Sequence, residues 1–313
     1  MYTSGFAIGN DGRKSIGDSM NTNNTLGDNL IELKNVCKNY KDFSLNCSLE
    51  IKRGTVTGLI GKNGAGKTTV FKALLGLIRI DSGSIVYKGE ERKSLSETER
   101  ERIGVVLAES FISAYLNASD VRDILSKAYR TFDKQKFEAY CRRFDIPMKK
   151  RIKEYSTGMK AKLKLISALC HETELLILDE PTAGLDVVAR DELITLLRDY
   201  MLDENHSIIV SSHISSDLEG LCDDIYMIDN GEVILHEDTD TLFDEYGIIK
   251  ISDKDYLTLN KDHIRYVKQE SFGYRLLTDC RSFYMDNYPG LIIEKSSIDD
   301  IILVIISGQK HEN

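Results

Sequence analysis

Apolar and polar residues alternate over Leu30 to Val36 and again over Leu45 to Ile51, the period-two pattern of half-buried antiparallel strands. Further along, alternation gives way to short continuous apolar runs. Thr55 to Ile60 (TVTGLI), Ile103 to Leu107 (IGVVL), Leu175 to Leu178 (LLIL) and Ile208 to Val210 read as strands covered on both faces of a parallel sheet. Between these runs the period lengthens to that of helices. One is predicted from Thr68 to Leu77, and another follows the capping residues Ser156 and Thr157 to about Cys170. A third runs from Asp186 to near Leu202. From Ala118 to about Lys153 a helical insertion is expected, with Val121, Ile124, Leu125, Ala128 and Tyr129 on one face. Asp81-Ser82-Gly83 marks a turn into a short strand, Ser84 to Tyr87, and the charged stretch Lys93 to Arg102 reads as solvated surface. Asp224 to Asp229, Asn230-Gly231 and Glu232 to His236 form a hairpin pattern with a tight turn.

The ends differ from this core. Residues 1–28 are rich in Gly, Ser, Asn, Thr and Asp and bury too little to offset their ordering entropy, so a disordered tail is expected. Residues 241–313 show mixed short apolar runs and no chemical motif. They are expected to form a small α+β extension with Ser297 to Ile306 as its packed element. The pattern as a whole predicts an α/β core over residues 29–240, with an antiparallel β subdomain and a helical subdomain at about 110–170.

Composition narrows the function classes. The chain has 313 residues, 42% apolar and 29% charged, ordinary for a globular protein with a sizeable core. A formal charge of −9 argues against nucleic acid as a partner. Six cysteines, without a C-x-x-C pair, read as reduced thiols in a cytosolic setting. No apolar run is long enough to span a bilayer, and residues 1–28 hold no secretory apolar region.

Candidate chemistry centres on Gly61 to Thr69, GKNGAGKTT, which fits G-x-x-x-x-G-K-[ST]. Glycines there let backbone N–H groups turn inward around phosphate oxygens, while the following helix presents its positive end. Lys67 is expected on the β- and γ-phosphates, and the Thr68 hydroxyl on Mg²⁺. Asp179 and Glu180 end an all-apolar strand, the edge where α/β sheets bind ligands. Asp179 is assigned to Mg²⁺ and Glu180 to orienting and deprotonating the attacking water. His213, just past another strand end, is expected on the γ-phosphate. Tyr40, upstream of the loop, is read as stacking on a purine ring, with packing at a strand end as the alternative. The other histidines receive no role.

In this order, the motifs resemble those of the nucleotide-binding subunit of an ABC transporter, over roughly residues 29–238, and of the bacterial ABC-2 drug-exporter branch. Gly61, Asn63, Gly64, Ala65, Gly66, Lys67, Thr68 and Thr69 match the Walker A loop, and Leu175 to Asp179 with Glu180 match Walker B and its glutamate. Tyr40 matches the adenine-stacking aromatic, Gly184 to Asp186 the D-loop and His213 the switch histidine. Tyr155 to Met159 aligns with the LSGGQ signature, retaining Ser156 and Gly158 but losing the amide. Ala108 falls on the Q-loop glutamine, with Glu109 beside it. The resemblance implies an α/β fold with a phosphate-loop NTPase core, an antiparallel β subdomain and a helical insertion, and hydrolysis of ATP with Mg²⁺. It also implies a head-to-tail dimer, with itself or a related subunit, holding ATP between one protomer's loop and the other's Ser156, Gly158 and Asp186. A separately encoded permease and a cytoplasmic place on the inner face of the membrane follow from it. Two alternatives remain: a non-transport ATPase of the same family acting on ribosomes or another soluble complex, and an ATP-binding sensor with little turnover.

Overall fold

The structure, a computed structural model, describes residues 29–108, 112–212 and 215–311. The tail expected over residues 1–28 lies outside the described residues. β1 (Asn29–Asn39) and β2 (Ser44–Lys52) pair antiparallel, and β2 buries every second residue as its alternation predicts. β3 (Val56–Ile60), buried throughout, leads into α1 (Lys67–Leu74). That helix stops short of the expected Leu77. Gly76 takes φ 66°, donating to Ala73 O while Leu77 N–H donates to Lys72 O, which is the Schellman termination that a left-handed glycine permits.

β4 (Ser82–Tyr87) and β5 (Glu90–Arg92) extend the antiparallel side. The charged stretch at Lys93 to Arg102 is more than solvated surface. It carries α2 (Glu97–Arg100), closed by a Ser96–Glu99 capping box, and Leu95 is buried. After β6 (Ile103–Val106) come α3 (Ala118–Ala128), α4 (Lys134–Arg143) and α5 (Thr157–Leu169), the helical insertion. The apolar face predicted on α3 is covered only in part. Val121 is buried, whereas Ile124 is 51% exposed and Ala128 is exposed, because the core reaches only the first turns of this helix.

β7 (Leu175–Asp179), α6 (Val187–Tyr200), β8 (Ser207–Ser212), α7 (Ser215–Glu219), β9 (Asp224–Asp229) and β10 (Glu232–Asp238) complete the main layer. Asn230 and Gly231 turn the β9–β10 hairpin with φ values of 47° and 83°, the double left-handed turn that this residue pair favours. Among the described residues the main sheet has ten strands, ordered β5-β4-β1-β2-β10-β9-β3-β8-β7-β6, and is parallel from β9 to β6. Both faces of β7 are covered. Leu175 and Ile177 pack with Val70 and Phe71 of α1, while Leu176 and Leu178 face the core that holds Leu163 and Ile166 of α5 and Leu193 of α6. Phe71 is fully buried, and truncating it to alanine would cost about 3–5 kcal/mol.

α8 (Thr239–Asp244) connects to β11 (Gly247–Ile251), α9 (Asp253–Tyr256), β12 (Ile264–Glu270) and β13 (Gly273–Thr278). α10 (Arg281–Asn287), β14 (Ile292–Lys295), α11 (Ile298–Ser307) and β15 (Gln309–Lys310) follow. The strands form an antiparallel sheet, β14-β11-β13-β12-β15. One face of this sheet packs Ile249 and Leu276 on Tyr284 of α10. On the other, Ile248 and Leu277 join α11 and the main core. α11, the element expected from Ser297 to Ile306, is capped by Ser297 and Asp300 and lies between the two layers.

Candidate functional site

The chain leaves β3 at its carboxyl end and turns through Gly61 to Gly66 before entering α1. Gly64 and Gly66 take φ values of 84° and 116°, backbone that a side chain would strain. A Cβ on Gly66 would also stand 3.0 Å from Phe43 Cζ, and one on Gly61 only 2.4 Å from Ile228 O. The loop is fastened to the β9–β10 turn, where Gly231 N–H donates to Ala65 O at 2.8 Å. No side chain caps α1 and no acidic residue occupies its first turn, so its N–H groups and positive end face the loop's concavity. Lys67 is almost wholly buried. Its Nζ donates to Gly61 O at 2.5 Å and lies 3.3 Å from Glu180 Oε1.

Asp179 closes β7 opposite Ser211 of β8, a pairing set by the parallel register. Its carboxylate is 2% exposed and held on both sides. Thr68 Oγ1 donates to Oδ2 at 2.7 Å and Ser211 Oγ to Oδ1 at 2.7 Å. Glu180 follows with φ 51°, a left-handed conformation that residues other than glycine, asparagine and aspartate rarely adopt. Its N–H donates to Ser211 Oγ at 3.0 Å, and these contacts hold the strained residue at the strand end. A pocket of about 440 Å³ opens here, lined by Phe43, Lys62, Asn63, Gly64, Gly66, Lys67, Thr68, Thr69, Ala108, Asp179 and Glu180. Ala65 is buried just behind it.

The loop residues and the Asp179–Glu180 pair are thus brought together; other predicted site residues are not. Tyr40 is 47% exposed and does not line the pocket. Phe43, in the same turn, does, with its ring 6.3 Å from that of Tyr40. Ser156 caps α5, accepting from Met159 N–H at 3.2 Å, and Gly158 lets α5 approach α6, since a Cβ there would meet Ala189 Cβ at 2.8 Å. Asp186 caps α6 through Ala189 N–H at 2.8 Å. These three stand apart from the pocket. His213 and Glu109 lie outside the described residues, whereas Ala108 is exposed on the pocket wall.

Sequence reasoning missed Phe43 and Ser211. Two aromatics three residues apart in one turn give no signal as to which faces inward. Ser211 did carry a signal: a hydroxyl residue at the carboxyl end of a buried parallel strand neighbouring the acidic one.

A family model described as ABC transporter matches residues 45–183, a span that takes in Gly61 to Thr69 and Asp179-Glu180 and stops before Asp186 and His213. The ABC transporter ATP-binding protein YtrB of Bacillus subtilis is 31% identical over 252 residues, which is 79% of this chain and 86% of YtrB. The lantibiotic transport ATP-binding protein SrtF of Streptococcus pyogenes is 35% identical over 217 residues, 67% of this chain and 92% of SrtF. A solved ATP-binding subunit of an ABC transporter superposes with a TM-score of 0.59 at 25% identity, covering 68% of this chain and 91% of its own. Among the described residues no helix is long and apolar enough to cross a membrane.

Proposed function

The chain belongs to the ABC transporter ATP-binding proteins and is an ABC-type ATPase subunit, and from that premise we propose that it powers export through a separately encoded permease. The observation that carries the site assignment is the interlock at the strand ends, Thr68 to Asp179 to Ser211, with Lys67 beside Glu180. ATP places its phosphates in the N–H cradle of Gly61 to Thr69. Lys67, drawn to the γ-phosphate, releases its ion pair with Glu180. Glu180 then accepts the proton of the attacking water.

Thr68 Oγ1 and Asp179 Oδ2, two hard oxygens 2.7 Å apart, fit Mg²⁺ and would hold it. Held by these residues, the ion would supply positive charge against the phosphates as the transition state forms. On this reading Tyr40 shares the adenine face with Phe43, and His213 reaches the γ-phosphate.

Ser156, Gly158 and Asp186 act on the ATP of a second subunit, identical or related. Their distance from the pocket in one chain favours this. So do the acid-free first turn of α5 and the exposed Val187 and Val188 beside Asp186, at 79% and 70% exposure. The subunit would sit peripherally on the inner face of the membrane through its permease. Likeness to a lantibiotic transport protein favours a peptide-like or drug-like cargo.

Affinity purification from detergent-solubilised native membranes tests the transport reading. A multi-span membrane protein recovered in stoichiometric amount is expected. Recovery with ribosomes or soluble proteins alone would overturn it in favour of a non-transport ATPase.

A further inference from the structure

The turn behind Glu180 is anchored to a helix of five residues. Ala183 N–H donates to Glu180 O and Leu185 N–H to Thr182 O, each at 3.2 Å, so the turn moves as a unit with Glu180. Thr182 is 2% exposed, and its hydroxyl donates at 2.5 Å to Oδ2 of Asp217 on α7, itself 7% exposed. Asp217 Oδ1 lies 3.3 Å from Arg190 Nε of α6. One buried carboxylate therefore ties together the glutamate's turn, α6 and α7.

A helix as short as α7 has no stability of its own and sits where its neighbours put it. One of those neighbours is the C-terminal unit. Glu219 Oε1 accepts from the N–H of Ile298, the first residue of α11, at 3.4 Å. Leu218 is fully buried in the cluster that also holds Ile298, Ile301 and Val304. Glu180 meanwhile sits in strained backbone, which persists only where the surroundings over-determine it. Ser211 holds the strand side, and Thr182–Asp217 holds the turn side.

We propose that Asp217 is a positioning residue for ATP hydrolysis, and that the C-terminal unit, through Ile298 of α11 bearing on α7, braces it. The inference rests on Glu180 as the base. It gives residues 241–313 a role in turnover without a ligand site of their own.

The test is steady-state ATPase kinetics of the full chain, with thermal melting of each variant. Asp217→Leu and Thr182→Val remove the same hydrogen bond from opposite sides with little change of shape, since leucine cannot accept it and valine cannot donate it. Each is expected to lower kcat roughly ten- to hundredfold, since small misplacements of catalytic groups cost about that much, while KM for ATP stays within about threefold. The double variant should be no worse than either single one. Ile298→Ala should lower kcat by a few-fold, again with KM unchanged. Should Asp217→Leu not fold, Thr182→Val carries the test. Wild-type kcat in Thr182→Val, or a rise in KM matching the loss of kcat, overturns the positioning role. Wild-type kcat in Ile298→Ala overturns the brace. Glu180→Gln, measured alongside, separates the two readings: if it abolishes turnover while Thr182→Val keeps the wild-type kcat, the base stands and this proposal alone falls.

Discussion

The carboxyl ends of β3, β7 and β8 and the C-terminal sheet treat their polar side chains in opposite ways. At the strand ends Thr68, Asp179 and Ser211 interlock in a nearly dry patch. In the C-terminal sheet the charges pair outside: Lys250 meets Glu294 at 2.7 Å with side chains 42% and 48% exposed, and Arg265 pairs with Asp279. A buried polar group must be bonded, and bonding fixes its position. An exposed pair exchanges freely with water and fixes little. Chemistry sits where desolvation has forced one arrangement, and the C-terminal unit supplies packing instead.

The sharpest break of this contrast uses His171, at the opposite end of the same parallel core. It is 5% exposed, stacks on Tyr129 at 4.1 Å, and burial pushes its pKa down to about 4. Between about pH 6.5 and 4 the unfolded chain binds a proton here that the folded chain refuses. Stability is therefore fully present above that window and falls with acid, by about 3 kcal/mol in all. Denaturant melts from pH 7 to 4 should show this loss, and His171→Phe should flatten that part of the profile. Equal slopes in the two proteins would show that His171 is not held neutral by burial.

A smaller effect is expected at Gly66. Gly66→Ala places a side chain at φ 116° and against Phe43, a strain of about 1–3 kcal/mol. ATP affinity should fall roughly fivefold to a hundredfold in a nucleotide titration, because the cradle must shift. The smallest effect belongs to the exposed pair. Glu294→Ala should change unfolding free energy by no more than about 1 kcal/mol and leave ATP turnover at the wild-type rate. A larger loss would erase the contrast between the two regions.

Legibility in the sequence follows the same divide. β3 and β7 were readable because strands buried on both faces are continuous apolar runs, and the Asn230-Gly231 turn because its φ signs demand such residues. The phosphate loop was readable because its glycines are required by backbone geometry. The choice of Phe43 over Tyr40 at the pocket was not, since only the approach of the ring to Gly66 decides it. On α3, amphipathic spacing predicted a buried face, but spacing cannot say how far the core extends along a helix. In the C-terminal sheet, half-exposed strands pair across long sequence separations, so their short apolar runs carried little signal. The Thr182–Asp217 contact joins residues far apart in sequence and left no trace in any local pattern.

The most direct test of the site is Glu180→Gln, followed in one preparation by ATP binding, ATP-dependent dimerisation and ATP turnover. The substitution keeps the shape at the strand end while removing the group that takes the proton. Binding and dimerisation should persist, and turnover should fall by about a hundredfold to ten-thousandfold, the usual contribution of a general base. Undiminished hydrolysis would contradict the account and place the base elsewhere.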